Sequence, residues 1–264
     1  MKKLHGLGLR RTWRRWFGWR WFRGDYRHWS DAHSASIGYD DGAVFERVLD
    51  AARAARDGRA AWDRDGTEFN TPEVNRPLVE ALRASVSAED SRLNVIDFGG
   101  GLGGTWRQNR SSFLDVAEVR WCIVEQRHFV DIGNKEFSDE VLSFEPTFAD
   151  ACASNSATVV ILSSVLQYVA NPHEILAEVS GSGINHVIID RIPFWEGGRD
   201  RLTIQVTPNE LGGGSYPCWL FHRDGFIASL SKTYDCAGEW PGFDDVDRHV
   251  QFRGMYFRRK SRQA

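Results

Sequence analysis

The segment that most constrains the fold is the apolar run Leu93-Asn94-Val95-Ile96-Asp97-Phe98, which breaks into Gly99-Gly100-Gly101-Leu102-Gly103-Gly104. A β-prone run ending in an acid and then in glycines describes a buried strand feeding a tight turn, where a ligand can approach the backbone closely. The rhythm around it repeats. Strands are expected at Leu93–Phe98, Arg120–Glu125, Val141–Phe144, Thr158–Leu162 and His186–Asp190, with helices near Thr105–Phe113, Phe129–Phe137 and Pro172–Val179. Strands alternating with helices predict βαβ units, hence a mostly parallel sheet with helices on both faces.

Flanking segments complete the architecture. Upstream, apolar spacing predicts a helix over Val44–Arg56, stopped by Gly58, and another from Pro77 through Val86; residues 59–76 read as a loop. Downstream, the texture changes to a hairpin-like stretch at Arg201–Val206 and an aromatic segment at Tyr216–Phe221. A helix at Asp224–Ser231 and strands near Tyr234–Trp240 and Phe252–Arg258 follow. The expected organisation is a basic aromatic leader (1–29), an N-terminal helical extension (30–90) and a main α/β domain (91–264) with an inserted hairpin or lid at about 191–221.

Charge is unevenly spread. Of 33 basic and 36 acidic residues, nine basic and one acidic lie between Met1 and Trp29, leaving 24 against 35 in the body. Within the leader, Leu9, Trp13, Trp16 and Phe17 share one helical face, opposite Arg11, Arg14 and Arg15. That suits peripheral membrane contact through residues 1–24, or packing on the domain; an organelle transit peptide has a similar composition. Nucleic-acid binding is disfavoured. Cys122, Cys152, Cys218 and Cys236 form no C-x-x-C pair, which fits a reducing cytoplasm. No apolar run reaches the roughly 18 residues of a membrane span, and acids and histidines show no metal-ligand spacing. A cytoplasmic protein with no metal in its site is the expectation.

The glycine loop fits two cofactor patterns. Asp97, Gly99, Gly101 and Gly103 match acid-x-G-x-G-x-G, which suits S-adenosyl-L-methionine; Gly99, Gly101 and Gly104 match the dinucleotide pattern G-x-G-x-x-G. Charge separates them, because a carboxylate at Asp97 attracts an ammonium and repels a pyrophosphate. Glu125 ends the next strand, placed to hydrogen-bond ribose hydroxyls in either class.

These residues belong to a series of blocks: FGGGLGGTWRQNR (98–110), WCIVEQRHFVDIGNKEF (121–137), ILSSVLQYVANP (161–172), IDRIPF (189–194) and SYPCWLF (215–221). Together with Trp29, Ala32, Gly38-Tyr39 and the Trp62-Asp63-Arg64-Asp65 tetrad, they resemble a family of uncharacterised class I methyltransferases often linked to polysaccharide biosynthesis. The likeness covers roughly residues 29–258; the tetrad departs from that family's usual tyrosine–glutamate start. The resemblance implies a Rossmann-like class I methyltransferase with a seven-stranded sheet, using S-adenosyl-L-methionine. Carried over, Asp97, Gly99, Gly101 and Gly103 would hold the methionine part and Glu125 the ribose, with Ser163, Ser164 and Gln167 facing the sulfonium and acceptor.

Methyl transfer from a sulfonium needs a positioned nucleophile, and a sugar hydroxyl benefits from a general base. Asp190 at the end of the fifth strand and His222 beyond the aromatic segment are the candidate bases, with Tyr168 as a hydrogen-bonding wall. The stretch 191–221 would supply a lid of aromatic faces and arginines for a small-molecule or saccharide acceptor. Two other readings stay open: an NAD(P)-dependent oxidoreductase, and a non-catalytic adenosylmethionine-binding module.

Overall fold

A computed structural model describes residues 21–37, 41–86, 89, 91–207, 214–244 and 246–261. The leader up to residue 20, including its expected amphipathic face, lies outside these residues, as do residues 208–213, which hold most of the Gly212-Gly213-Gly214 run. The N-terminal part contains β1 (Phe22–Tyr26), α1 (Trp29–Ala35), α2 (Asp41–Arg56), the hairpin β2 (Trp62–Arg64) and β3 (Thr67–Phe69), and α3 (Arg76–Arg83). The alternating part runs β4 (Arg92–Phe98), α4 (Gly104–Asn109), β5 (Glu118–Val124), α5 (Arg127–Glu136), β6 (Leu142–Glu145), α6 (Phe148–Ser154), β7 (Val159–Ser163), α7 (Pro172–Gly181) and β8 (His186–Trp195). It closes with β9 (Arg201–Val206), β10 (Ser215–His222), α8 (Arg223–Leu230), β11 (Tyr234–Pro241) and β12 (Val250–Arg259).

The sheet has ten strands rather than the expected seven. Seven form the order β6-β5-β4-β7-β8-β12-β11, parallel except for β12, which is antiparallel to both its neighbours. The other three, β1, β9 and β10, make an antiparallel extension joined to β8 through only two residue pairs, Phe221↔Phe194 and His222↔Trp195. Strand β1 comes from the stretch read as leader. Trp21 and Phe22 are buried beside Leu220 and Phe252, and β1 pairs with β9, so the sheet incorporates the end of that basic aromatic segment.

Side-chain alternation along the strands builds a core on each face. Ile96, Cys122, Val160 and Val187 meet Phe148 of α6, Leu176 of α7 and Phe226 of α8 on one side. Val95, Trp121, Ile123 and Val159 meet Leu49 of α2, Leu78 of α3 and Val130 of α5 on the other. Helix α3 begins as its sequence dictates: Asn75 accepts from the Leu78 amide, and Pro77 occupies the first turn, where its missing N–H costs nothing. The segment read as a loop over 59–76 instead folds as the β2–β3 hairpin. Asp65 and Gly66 both take positive φ (51° and 72°), the geometry a two-residue hairpin turn requires and Asp-Gly supplies.

Strand β4 sits between β5 and β7, so successive crossovers leave it in opposite directions. The carboxyl ends of β4 and β7 therefore diverge into a crevice, the place where open α/β sheets receive ligands.

Candidate cofactor and acceptor site

A cavity of about 220 Å³ opens at that crevice. Its floor is the loop after β4, where Gly99 and Gly101 take φ of 74° and 59°. The Gly99 amide donates to the Val124 carbonyl at 2.8 Å, tying the loop to β5. A side chain at Gly101 would meet no atom within 4 Å, so this backbone faces open space. Gly103 behaves differently. It caps α4 in the left-handed conformation and is turned toward Leu142 and Ile123, away from the cavity lining. Unlike Gly99 and Gly101, it does not line the cavity.

Asp97 and Glu125 stand at adjacent strand ends and both line the cavity. Asp97 is 1% exposed, and its Oδ2 accepts from the Trp121 indole N–H at 3.0 Å. Burial pushes its carboxyl up to about 7, opposed by the Trp121 hydrogen bond and helped by the charge of Glu125. Glu125 accepts from the Gly101 amide at 3.3 Å and from the Gln126 amide at 2.9 Å; burial raises it too, and those two amides oppose the rise.

Another wall of the cavity comes from the ends of β7 and β8. Ser163, Ser164, Asp190 and Arg191 line it. Ser164 and Arg191 are non-glycine residues at positive φ, 55° and 54°, a strain that costs of order 1–3 kcal/mol each and collects at functional sites. At Arg191 the strain has a local cause. Between Ile189 and Ile192, strand β8 carries one residue more than β12 does between Met255 and Arg253, so Asp190 and Arg191 together oppose Gly254. Such a bulge re-aims side chains. The buried Gln167 amide secures the result, donating to Ser164 Oγ at 3.1 Å and to the Arg191 carbonyl at 3.3 Å. Gln167 does not line the cavity itself; it positions two residues that do.

Asp190 is 1% exposed and held by two donors, Asn75 Nδ2 and the Trp240 indole N–H, each at 3.0 Å. Burial raises its pKa, with both donors and the Arg191 charge opposing. Trp240 reaches Asp190 by lying across Gly254, where any Cβ would collide with the indole. Gly254→Ala should therefore displace Trp240 and leave Asp190 short of a donor. The expected readout is a Trp fluorescence change together with loss of turnover, while affinity for the cofactor product stays within about twofold; unchanged fluorescence and turnover would contradict the arrangement.

Two expected site residues lie elsewhere. His222 caps α8, its Nδ1 accepting from the Gly225 amide at 3.3 Å, and it does not line the cavity. Its sequence position just past the aromatic segment puts it at the far end of β8, beside Trp195. Tyr168 donates to Gln205 Oε1 at 3.0 Å and packs edge-on against Tyr216, also away from the cavity. Among its described residues, the stretch 191–221 contributes Arg191 to the lining. Its other arginines fasten the three-stranded extension, Arg199 to Asp25 and Arg201 to the Gly24 carbonyl.

The covering element is the hairpin that sequence reading missed. Asp63 and Arg107 form a buried ion pair at 2.7 Å, with side chains 7% and 8% exposed, which pins the hairpin to α4. Gly104 admits this contact, since a Cβ there would come within 2.8 Å of the Asp63 carbonyl. Arg64 and Asp65 then project into the cavity lining. The Asp65-Gly66 dipeptide was the available signal for the turn.

No family model matches the sequence, and no curated protein matches it. Solved structures resemble it loosely. A Burkholderia thailandensis 1,6-didemethyltoxoflavin-N1-methyltransferase bound to S-adenosylhomocysteine is 16% identical with a TM-score of 0.45, covering 85% of this chain and 92% of that one. The N-terminal domain of EvdMO1, crystallised with SAH and D-fucose, is 12% identical with a TM-score of 0.47, covering 84% and 98%. The glycopeptide N-methyltransferase MtfA in complex with S-adenosylmethionine is 10% identical with a TM-score of 0.45, covering 71% and 95%. At these values the likeness is one of general topology, and the cofactor assignment rests on this chain's own residues.

Proposed function

We propose that this protein is an S-adenosyl-L-methionine-dependent methyltransferase that methylates a hydroxyl of a small saccharide-type acceptor. The observation that carries the reading is the buried Asp97 carboxylate, lining an open cavity beside Glu125 and an unobstructed glycine backbone. A cationic amino-acid tail gains a charge-assisted hydrogen bond from Asp97, and the neighbouring carboxylate suits ribose hydroxyls. A pyrophosphate seated on the glycine loop would meet Asp97 and Glu125 there, an arrangement that disfavours the dinucleotide reading. Gly104, the third glycine of that pattern, makes room for the hairpin instead of for phosphate.

The chain's part in the reaction is placement and proton handling. The glycine loop and the Asp97–Glu125 pair fix the donor, and the hairpin and β8 bulge shape the acceptor's approach. Asp190 is the proton acceptor for the hydroxyl: its pKa is raised by burial, and Asn75 and Trp240 hold its two oxygens in place.

Calorimetry tests both halves. S-adenosylmethionine should bind with micromolar affinity, roughly −8 kcal/mol, and NAD should not bind. Saturable NAD binding without adenosylmethionine binding overturns the reading. Asp190→Asn should keep the cofactor affinity and lose about 10²–10⁴ in kcat; retained turnover removes Asp190 from proton transfer. A cytoplasmic setting, a role in polysaccharide biosynthesis and peripheral membrane contact through residues 1–24 belong to the same proposal. Among the described residues, no helix is long and apolar enough to cross a membrane.

A further inference from the structure

The cavity has in its lining an arginine that no carboxylate among the described residues touches directly. Arg64 lines it from β2, and among the described residues its guanidinium makes no hydrogen bond and no ion pair. Its position is fixed by aromatic packing: the guanidinium carbon lies 5.4 Å from the Trp62 ring and 5.5 Å from the Phe69 ring, and those rings stack 3.9 Å apart across the hairpin. The second arginine of the lining is already engaged. Arg191 Nε donates to Asp244 at 2.9 Å, and its Nη1 lies 3.6 Å from Asp65.

We propose that Arg64 receives an oxyanion group, a carboxylate or a phosphate, carried by the methyl acceptor, so that the enzyme selects anionic over neutral acceptors. The assignment deepens the methyltransferase reading by naming the acceptor's charge. Its support is positional. The charged groups acting on Arg64 are Arg191, Asp65, Asp244 and Glu73, which belong to β8, the hairpin turn, the segment between β11 and β12, and the approach to α3. None comes from the glycine loop or from Glu125, where the cofactor is held. Burial first, and then the nearby Arg191 charge, lower the pKa of Arg64, against Asp65, Asp244 and Glu73, which raise it. A partly desolvated guanidinium answers an oxyanion with paired, charge-assisted hydrogen bonds, worth about twice neutral ones. Asp65 and Asp244 already hold Arg191, so among the described residues Arg64 is the lining arginine whose guanidinium has no ion-pair partner in direct contact.

The test titrates glucuronate, glucose 1-phosphate and glucose into the full chain saturated with S-adenosylhomocysteine, and again without it. Wild type should bind one or both anionic sugars at least about tenfold more tightly than glucose, with the preference shrinking as salt is added. Which of the two is favoured separates a carboxylate from a phosphate. Arg64→Gln should erase the preference and Arg64→Lys keep part of it, with adenosylhomocysteine affinity within about twofold of wild type in both, which also reports that each variant is folded. Equal affinity for all three sugars, no saturable anion binding in the millimolar range, or a preference surviving in Arg64→Gln would overturn the proposal. So would a loss of adenosylhomocysteine affinity in Arg64→Gln matching the loss for sugars, since the arginine would then be reading the cofactor's own carboxylate. Failure of wild type to bind adenosylhomocysteine sinks the methyltransferase reading instead, and the titrations without it still report on Arg64.

Discussion

Asp97→Asn should make the empty protein more stable and the ligand bind less well. The two effects have one origin. The folded-state pKa of Asp97 is about 7, raised from 3.8 chiefly by burial, so the folded chain holds this proton more tightly than the unfolded chain does. Between those two values the native state binds more protons, and stability contributed by this group falls as pH rises, reaching its full penalty above about pH 7. Asparagine keeps an oxygen for the Trp121 indole N–H and carries no charge to desolvate, so the variant should melt several degrees higher at pH 8 and show little change near pH 4. Adenosylmethionine affinity should fall by roughly 30- to 1000-fold, the loss of a charge-assisted contact of about 2–4 kcal/mol in a dry site. In wild type, affinity should rise with pH and level off above pH 7 or so, as the carboxyl ionises to meet a cation. Calorimetry and melting curves across pH 4–9 measure both. A variant that is destabilised at pH 8, or one that binds adenosylmethionine normally, would refute the role given to this carboxylate.

Arg107→Ala should be the most destabilising single change outside the central core. It strips the buried Asp63 carboxylate of a partner that approaches it through two nitrogens, at 2.7 and 3.0 Å. Breaking a buried pair by removing one member costs about 3–5 kcal/mol, because the remaining charge stays desolvated. For a chain of this size that corresponds to a fall in melting temperature of order 10 °C. Asp63→Asn/Arg107→Ala should recover part of the loss, since no charge is then left unpaired. The hairpin should also loosen, so amide exchange in residues 62–69 should speed up in the single variant more than exchange in β4 or β7. A melting temperature within 2–3 °C of wild type would show that the pair is not what holds the hairpin down.

How much of this was legible in the sequence depended on range. The central strands, the glycine loop and the acids at 97 and 125 are local patterns, set by the alternation of apolar runs with helical segments, and the structure reproduces them. The helix Phe148–Ser154 escaped because seven residues give too little periodicity to read. The surroundings of Asp190 escaped for a different reason. Asp190 was visible at a strand end, but its partners Asn75 and Trp240 lie 115 and 50 residues away. Trp240 arrives through its pairing with Gly254 and the register of β12 on β8, with its extra residue, and Asn75 arrives as the cap of α3. His222 shows the converse error, since closeness in sequence to the aromatic segment said nothing about closeness in space. The hairpin was readable in principle: Asp65-Gly66 between Trp62-Asp63-Arg64 and Thr67-Glu68-Phe69 is a strong two-residue turn signal.

The strand that ends the basic segment sets a practical boundary for engineering. Because Trp21 and Phe22 are sealed against Leu220 and Phe252, trimming at residue 24 would cut into the sheet and expose the edge of β9. Any shortened version meant to ask what the arginine–tryptophan tail does on lipid vesicles must begin no later than Trp21. Otherwise a wounded sheet, sticky at its newly bared edge, would be mistaken for a change in membrane affinity.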